Sequence, residues 1–207
     1  MAQDSSIRAP QQSRGKKTRA ALLAAAAREF SERGYAKTTA KSITERAQTS
    51  TGSFYQYFKN KDALLLELVE ERHRTLEAKT TGVLENAPGQ PTRTHIRRVV
   101  EAVFAVHRAD PGFHGVFTER RHADSALDRA IGRYEAKVVL AVGVLLDGWG
   151  FEGDTEATAF VLFGMLEGAA HAHVLGLPVV DDDRLTNALV DAIMRITGFS
   201  KGTNPWP

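Results

Sequence analysis

Four polar side chains follow Ser50 within one short stretch: Thr51, Ser53, Gln56 and Tyr57. If this stretch is helical, Phe54 and Phe58 lie one turn apart on one face, and the polar side chains lie on the other. Gly52 has no side chain, so the backbone beside it can approach a partner closely. Hydroxyl and amide groups on such a helix can hydrogen-bond to base edges and phosphate oxygens. The stretch therefore predicts recognition of duplex DNA.

Catalytic chemistry has no comparable candidates in the sequence. The chain of 207 residues contains no cysteine, which excludes disulfides, thiolate metal sites and a cysteine nucleophile. We find no glycine-rich phosphate loop, paired-carboxylate pattern or nucleophile elbow. His171 and His173 are two residues apart, so on a helix they point to different sides and make a poor metal pair. We therefore predict no catalytic residue, no metal site and no cofactor.

Three helices are predicted to position the polar stretch. The first covers residues 17–33, and Gly34 can end it in a left-handed conformation. Thr39 can cap a second short helix, and Ser50 can cap a third at 51–58. A tight turn joins these two into a helix-turn-helix, whose second helix lies in the major groove of DNA. The alternative is a helical corner without a binding function.

Charge is divided unevenly along the chain. Residues 1–61 carry 12 Lys and Arg against 4 Asp and Glu, whereas residues 62–207 carry 15 against 21. A basic first part joined to an acidic remainder indicates one module that faces nucleic acid and a body that does not. A basic solvated face without a partner is the alternative.

The rest of the chain shows helical periodicity. A long fourth helix starts at Lys61, Pro and Gly residues interrupt the chain at 87–91, and further helical stripes follow. No alternating strand pattern appears, so we predict an all-α fold. The predicted layout is a flexible arm at 1–15, a three-helix helix-turn-helix DNA-binding domain at 16–62, a helical ligand-binding and dimerisation domain at 63–200, and a tail at 201–207.

The apolar runs are too short to span a membrane. The longest, Ala20–Ala27 and Val138–Leu146, fall well short of the roughly 20 residues that a bilayer needs. A basic cluster before the first run imitates a signal peptide, but Arg28 and Glu29 follow at once and argue against one. We predict a cytoplasmic protein without a membrane segment.

The residues that punctuate the helices follow a distinctive order. One run is Gly34-Tyr35-x-x-Thr38-Thr39-x-x-x-Ile43-x-x-x-Ala47, and the next is Ser50-x-Gly52-x-x-Tyr55-x-Tyr57-Phe58-x-x-Lys61-Asp62-x-Leu64. This pattern, within residues 17–65, resembles the TetR family of transcriptional regulators. The remainder of the chain resembles that family in its helical layout and length.

The resemblance implies which residues contact DNA. Thr39 would cap the second helix and touch a phosphate beside Lys41, and Lys61 would anchor a phosphate at the start of the fourth helix. Further contacts would come from the third helix: Thr51, Gly52 and Ser53 would face the groove, and Tyr55 and Tyr57 would contact the backbone or a base.

Three positions depart from the family pattern. Ser42 stands where an acidic residue is usual, which predicts an incomplete capping box with Thr39. Gln48 stands where glycine is usual, so we expect a less comfortable backbone angle in the turn. Tyr57 replaces the usual histidine. The last two departures are expected to alter fine geometry or operator preference without breaking the architecture.

Two strips near the C-terminus can pair helices. Gly164 and Gly168 permit close helix approach, and Leu185, Leu189 and Ile193 form an apolar stripe. Packing of both strips within one chain is the alternative. The resemblance implies a two-fold, four-helix dimer interface here, and such a homodimer predicts a palindromic operator.

The middle helices contain more aromatic residues than a helical bundle needs. Each one can be plain core, but together with the resemblance they suggest an apolar pocket with few polar anchors. Glu167 and His171, four residues apart, and His107 could orient the polar end of a ligand. The predicted pocket residues are Phe104, His107, Phe113, Phe117, Trp149, Phe163, Glu167 and His171.

These features together predict a homodimeric, ligand-responsive transcriptional repressor. Its expected partners are a double-stranded DNA operator and a small, largely apolar effector that releases the protein from DNA. An all-α ligand carrier or enzyme with an incidental basic end is the alternative, and the salt dependence of duplex binding separates the two.

Overall fold

The structure is a computed structural model that describes residues 8–85, 89–176 and 178–199. Within these ranges the chain forms nine α-helices and no strand, which confirms the all-α fold. The helices are α1 Arg8–Lys37, α2 Ala40–Arg46, α3 Thr51–Tyr57, α4 Lys61–Glu85, α5 Arg93–Ala109, α6 Pro111–Arg121, α7 Ser125–Gly148, α8 Thr155–Leu175 and α9 Asp182–Thr197. The predicted tail at 201–207 lies outside the described residues.

The described part of the chain divides into two compact units. The first contains residues 8–70 and 112–127, and the second contains residues 71–111 and 128–199. The sequence predicts the boundary between the DNA-binding and ligand-binding domains after residue 62. That position lies at the start of α4, and the helix continues through it without a breaking residue.

The core of the first unit is formed by large side chains from α1, α2 and α3. Phe30, Ile43 and Phe54 are completely buried, and the rings of Phe54 and Phe58 lie 5.8 Å apart. Burying one such side chain contributes about 1.5–3 kcal/mol. This packing fixes α3 by one face only.

The first helix differs from its predicted extent at both ends. It starts at Arg8, so residues 8–15 are helical rather than part of an arm, while residues 1–7 lie outside the described residues. Pro10 is compatible with this start because the first turn of a helix does not use its backbone N–H groups. Gly34 has the positive φ that we predicted, at 74°, but its ψ of 169° makes a kink after which helical turns resume.

Helix α6 belongs to the first unit, although the sequence placed it in the ligand-binding domain. Gly112 lies directly against Ser31 of α1. A Cβ atom on Gly112 would meet the Ser31 hydroxyl, would lie 2.8 Å from the Ser31 carbonyl oxygen, and would lie 3.1 Å from its Cα. The absence of a side chain at this position therefore lets two backbones approach closely.

Helix α5 is central to the second unit and packs against α8 and α9. Val100, Ala159 and Val190 are completely buried there. Leu189 and Ile193 of α9 also face this core, with Leu185 partly buried against it. The apolar stripe of α9 is thus used within the chain.

Candidate nucleic-acid interface and helical cavity

The N-terminus of α2 is closed by a reciprocal pair of hydrogen bonds. The backbone N–H of Ser42 donates to Thr39 Oγ1, and the backbone N–H of Thr39 donates to Ser42 Oγ, both at 3.1 Å. The capping box is complete, so the prediction of an incomplete one is wrong. A serine hydroxyl reaches the cap backbone as an acidic side chain would, and both groups accept a hydrogen bond.

The turn between α2 and α3 contains a strained backbone angle, which confirms the expectation for Gln48. Gln48 has φ 53° and is the only non-glycine residue with positive φ in the described ranges. Its N–H donates to Glu45 O at 3.2 Å, and the N–H of Thr49 donates to Thr44 O at 2.9 Å. These two bonds offset a conformational cost of about 1 kcal/mol.

Helix α3 is capped by Ser50. The backbone N–H of Ser53 donates to Ser50 Oγ at 3.1 Å, and the two hydroxyls lie 2.9 Å apart. Ser53 is therefore already bonded within its own helix. Thr51 Oγ1 lies 3.5 Å from the Thr44 hydroxyl, which links the start of α3 to α2.

The outward face of α3 is polar and accessible. Thr51, Gly52 and Gln56 are exposed, and 60% of Tyr55 is exposed. Tyr57 is half-buried on the same helix. The arrangement presents hydroxyl and amide groups on a helix whose opposite face is packed, as base and phosphate recognition requires.

Lys41 of α2 carries a largely exposed positive charge. Its side chain is 79% exposed, and Glu45 lies 3.9 Å away, at the limit of an ion pair. A surface pair of this kind is weak. Lys41 can therefore turn to a phosphate.

Lys61 has a different environment from the one predicted. Its ammonium donates to Tyr35 O at 2.8 Å and to Thr38 O at 3.0 Å, and it lies 4.0 Å from the centre of the Tyr35 ring. Burial lowers the pKa of Lys61 below its ordinary value, and the Arg120 charge acts in the same direction. Lys61 thus holds the start of α4 against the end of α1. Its phosphate contact stays a prediction.

Tyr35 joins three elements of the first unit. Its hydroxyl donates to Asp62 of α4, and the Arg120 guanidinium of α6 lies 4.1 Å from the centre of its ring. Arg120 also lies 3.7 Å from the Asp62 carboxylate. Burial, followed by the hydrogen bond to Asp62, raises the pKa of Tyr35 to about 12. Spacing along the sequence gives no sign of the Arg120 contact, because α6 lies far from α1 in the chain.

A buried carboxylate holds α2 to α1. Glu29 is 2% exposed, and Arg46 Nε donates to it at 2.7 Å. Burial raises the pKa of Glu29, but hydrogen bonds from Ser42 and Arg46 outweigh it and hold this pKa below 4.5. Arg46 also donates to Glu32 at 3.0 Å. Sequence analysis missed Glu29 because a single acid in an alanine-rich helix resembles a solvated residue.

An apolar cavity of about 420 Å³ lies within the second unit. Side chains from α4, α5, α7, α8 and α9 line it, and most of them are hydrocarbon or aromatic. Its volume lies within the range of ligand pockets. The aromatic walls include Tyr134, Trp149 and Phe163.

The eight predicted pocket residues are not all in one place. Trp149, Phe163 and Glu167 line this cavity. Phe113 and Phe117 belong to the first unit, because α6 packs there. The other three predicted residues are in the second unit but not on the cavity wall: Phe104, His107 and His171.

Glu167 nevertheless connects the predicted polar group. Its Oε2 lies 3.3 Å from His107 Nε2 and 3.6 Å from His171 Nε2. Burial raises the pKa of Glu167, but its interactions with His107, His171 and Arg72 outweigh burial and hold this pKa below its ordinary value. Glu167 is therefore ionised at neutral pH.

The five predicted dimer residues also separate into two groups. Gly164 and Gly168 of α8 are exposed, whereas Leu189 and Ile193 of α9 are buried within the chain and Leu185 is partly buried beside them. Helix α8 has the length and apolar composition of a membrane-spanning helix, but one such helix is weak evidence for a membrane segment. Only 17% of its apolar window is buried. Alanine and glycine make this helix apolar without a conspicuous run of large side chains.

Comparison with known proteins is decisive for the first unit. A family model for bacterial regulatory proteins of the tetR family matches residues 22–68, from α1 into α4. This part of the chain is therefore similar to the DNA-binding segment of TetR-family regulators. The matched segment contains α2 and α3, which have the arrangement of a helix-turn-helix.

Curated TetR-type relatives match this chain over part of their length. The HTH-type regulator YdgC of Bacillus subtilis, itself uncharacterized, is 38% identical over 95 residues, which are 45% of this chain and 48% of that protein. The HTH-type regulator TtgR of Pseudomonas putida is 41% identical over 58 residues, 28% of each chain. The chain thus spans about half or less of the length of these relatives.

Solved structures extend the likeness to most of the chain. A transcriptional regulator from Rhodococcus sp. Rha1 has a TM-score of 0.74 at 17% identity, over 90% of this chain and 99% of that one. A TetR-family regulator from Streptomyces coelicolor has a TM-score of 0.71 at 25% identity, over 88% and 95%. The fold of the TetR family is therefore shared well beyond the helix-turn-helix.

Proposed function

We propose that this protein is a TetR-family repressor that binds a palindromic operator as a homodimer and is released by a small effector. The observation that carries the proposal is the outward face of α3. Thr51, Gly52 and Tyr55 are exposed on it, while Phe54 is completely buried on the inner face. A rigid helix of this kind can enter the major groove without rearrangement.

The proposed DNA contacts differ in role. Lys41 and Thr39 approach phosphates, while Thr51, Gly52, Tyr55 and Tyr57 meet the groove or its edges. Ser53 and Lys61 act chiefly by holding α3 and α4 in place, since both are already bonded within the chain. A third N–H of the Lys61 ammonium remains for a phosphate.

The homodimer is proposed to form through α8. Phe160, Gly164, Gly168 and Ala172 are spaced by four residues and are all exposed, with 67% of Phe160 accessible. Such a stripe lies along one side of a helix and exposes apolar surface that a monomer seldom leaves open. Leu189 and Ile193 are removed from the proposed interface because they fill the chain's own core. Two-fold pairing would place two α3 helices on successive major grooves, about 34–36 Å apart.

The effector is proposed to bind in the cavity of the second unit. Helix α4 begins beside Tyr35 and continues to Leu76 and Thr80 on the cavity wall, so one helix has residues at both sites. An effector releases the protein only if it binds the DNA-incompetent arrangement more tightly. Such a regulator acts on DNA in the cytoplasm, and we assign it no catalytic step.

The test measures duplex affinity against salt concentration, using a duplex selected by the protein from a random pool. The selected site should be palindromic, and log affinity should fall steeply with log salt, by about 0.9 per phosphate contact. Lys41→Ala should reduce this slope by about one unit, and Thr51→Ala should change sequence preference more than slope. Lys79→Ala removes an exposed charge from the second unit and serves as the control.

The cavity also supports a second function, that of a ligand carrier with an incidental basic end. A shallow salt slope, together with selection of no common sequence, would favour the carrier and overturn the repressor. Loss of sequence selection in Thr51→Ala without loss of folding would support the repressor.

A further inference from the structure

The polar side chains on the cavity wall differ in their availability to a ligand, because most of them already have a partner in the protein. Thr80 Oγ1 donates to Leu76 O at 3.0 Å, and Thr197 Oγ1 donates to Ile193 O at 2.8 Å, so both serve their own helices. Lys137 lies 2.6 Å from Glu77 in an exposed ion pair. These groups contribute little net charge to a ligand.

Glu167 and Tyr134 are the remaining polar wall residues. Glu167 contacts His107 and His171 through Oε2, and no contact through Oε1 is found among the described residues. The Tyr134 ring is stacked on His73 with centroids 3.8 Å apart, and no hydrogen bond to its hydroxyl is found in the described ranges. One carboxylate oxygen and one hydroxyl are thus left for a ligand.

The two groups act on one another. Burial raises the pKa of Tyr134, and the Glu167 charge raises it further. Tyr134 is therefore a neutral hydrogen-bonding group beside an anion. Both line the same cavity, whose threonine side chains and Lys137–Glu77 pair already have partners.

The charges around Glu167 leave this region negative when the histidines are neutral. Arg72 of α4 acts on Glu167, but its own charge is shared with Asp110. Glu135 of α7 acts on His171 in the same region. The charges that act on Glu167, Arg72 and His171 thus include three carboxylates and one guanidinium.

From this arrangement we infer that the effector of this protein is an organic cation with a hydrocarbon body, whose ammonium head binds Glu167 and Tyr134. The inference rests on the proposed function, since it names the ligand class of the same cavity. A charge-assisted hydrogen bond to Oε1 holds the head. The aromatic walls at Trp149 and Phe163 also attract a cation. A carboxylate head is disfavoured, because it would be buried beside a like charge.

The experiment compares three probes with one tail: decylammonium, decan-1-ol and decanoate. Binding to the full chain is followed at pH 8, where histidine is neutral, by calorimetry and by the fluorescence of Trp149 in a Trp206→Phe background. Decylammonium should bind at least about tenfold more tightly than decanol, and decanoate should bind most weakly.

Two variants locate the head group. Glu167→Gln should weaken decylammonium binding by roughly 10- to 100-fold and change decanol binding little. Tyr134→Phe should weaken it by a few-fold. Glu156→Gln removes a carboxylate from the exposed start of the same helix and should leave all three affinities unchanged. A melting curve establishes that each variant folds. If Glu167→Gln does not fold, the inference is tested by the order of the three probe affinities in the unmodified chain.

The inference is overturned if decanol or decanoate binds more tightly than decylammonium, if none of the three binds, or if folded Glu167→Gln keeps the preference for ammonium. Operator release is measured separately on the selected duplex. Preferential binding of decylammonium without release would sustain the ligand class and contradict the proposed induction. Release of the operator by decanoate would support the proposed induction and contradict the ligand class.

Discussion

The packing of α6 on α1 predicts a large effect from adding one methyl group. In Gly112→Ala the new Cβ would meet the hydroxyl of Ser31 and lie 2.8 Å from its carbonyl oxygen. Backbone atoms cannot rotate away as the end of a side chain can. Gly112 does not have a positive φ, so alanine is sterically acceptable to its own backbone, and the substitution measures the contact with α1.

The magnitude follows from overpacking, which costs about 1–3 kcal/mol of unfolding free energy. Gly115→Ala on the same helix is the matched control, because nothing lies within 4 Å of its added Cβ. This control should gain about 0.5–1 kcal/mol from helix propensity. For a chain of this size the two variants should differ by roughly 3–16 °C in melting temperature.

The assay is thermal unfolding followed by circular dichroism at fixed protein concentration, since the proposed dimer would make melting depend on concentration. Adding Ser31→Ala to Gly112→Ala should recover only part of the loss, because the carbonyl oxygen remains in place. Equal melting temperatures for Gly112→Ala and Gly115→Ala would refute the close approach of α6 to α1.

Four other outcomes are expected. Gln48→Gly should raise the unfolding free energy by about 0.5–1 kcal/mol, since glycine accepts φ 53° without strain, and Gln48→Ala should not; chemical denaturation distinguishes them. The pKa of Glu29 is held below 4.5 in the folded protein, so its stabilising effect is complete above that pH and is lost as the pH falls through the folded value. Glu29→Gln should accordingly flatten the acid side of a melting-temperature profile, and an unchanged profile would contradict this account. Phe160→Glu should shift the protein to monomer in sedimentation, whereas an unchanged dimer would exclude the exposed face of α8 as the interface. Decylammonium binding should weaken from pH 8 to pH 5, because the imidazolium form of His171 compensates the Glu167 charge. Burial lowers the pKa of His171 from 6.5, so the loss should fall below that pH, and affinity that rises in acid would refute the assignment.

The helix-turn-helix could be predicted because its signals are local. Thr39 and Ser50 cap helices through hydrogen bonds to residues three positions away, and the positive φ of Gln48 is a feature of one short turn. The completed capping box could not be predicted from the residue type of Ser42. Whether a short hydroxyl closes the box depends on its rotamer and on the cap geometry, which the structure shows.

Function-bearing contacts between distant segments were beyond reach from the sequence. The sequence of α6 does not indicate that Arg120 lies over the ring of Tyr35. It also does not indicate that Phe113 and Phe117 belong to the same unit as the first three helices. Likewise, the sequence makes the stripes of α8 and α9 equally suited to pairing between two chains. In the structure Leu189 is buried and Phe160 is exposed.

The sequence by itself determined that the chain is helical, where its recognition helix begins and ends, and which of that helix's faces is polar, because periodicity and capping act over three to five residues. Tertiary structure alone decided which apolar stripe fills the core and which stays exposed, and which of the predicted polar residues reach the cavity. Those outcomes depend on how separate helices pack together, and burial is a property of the neighbours that a residue acquires on folding rather than of its type.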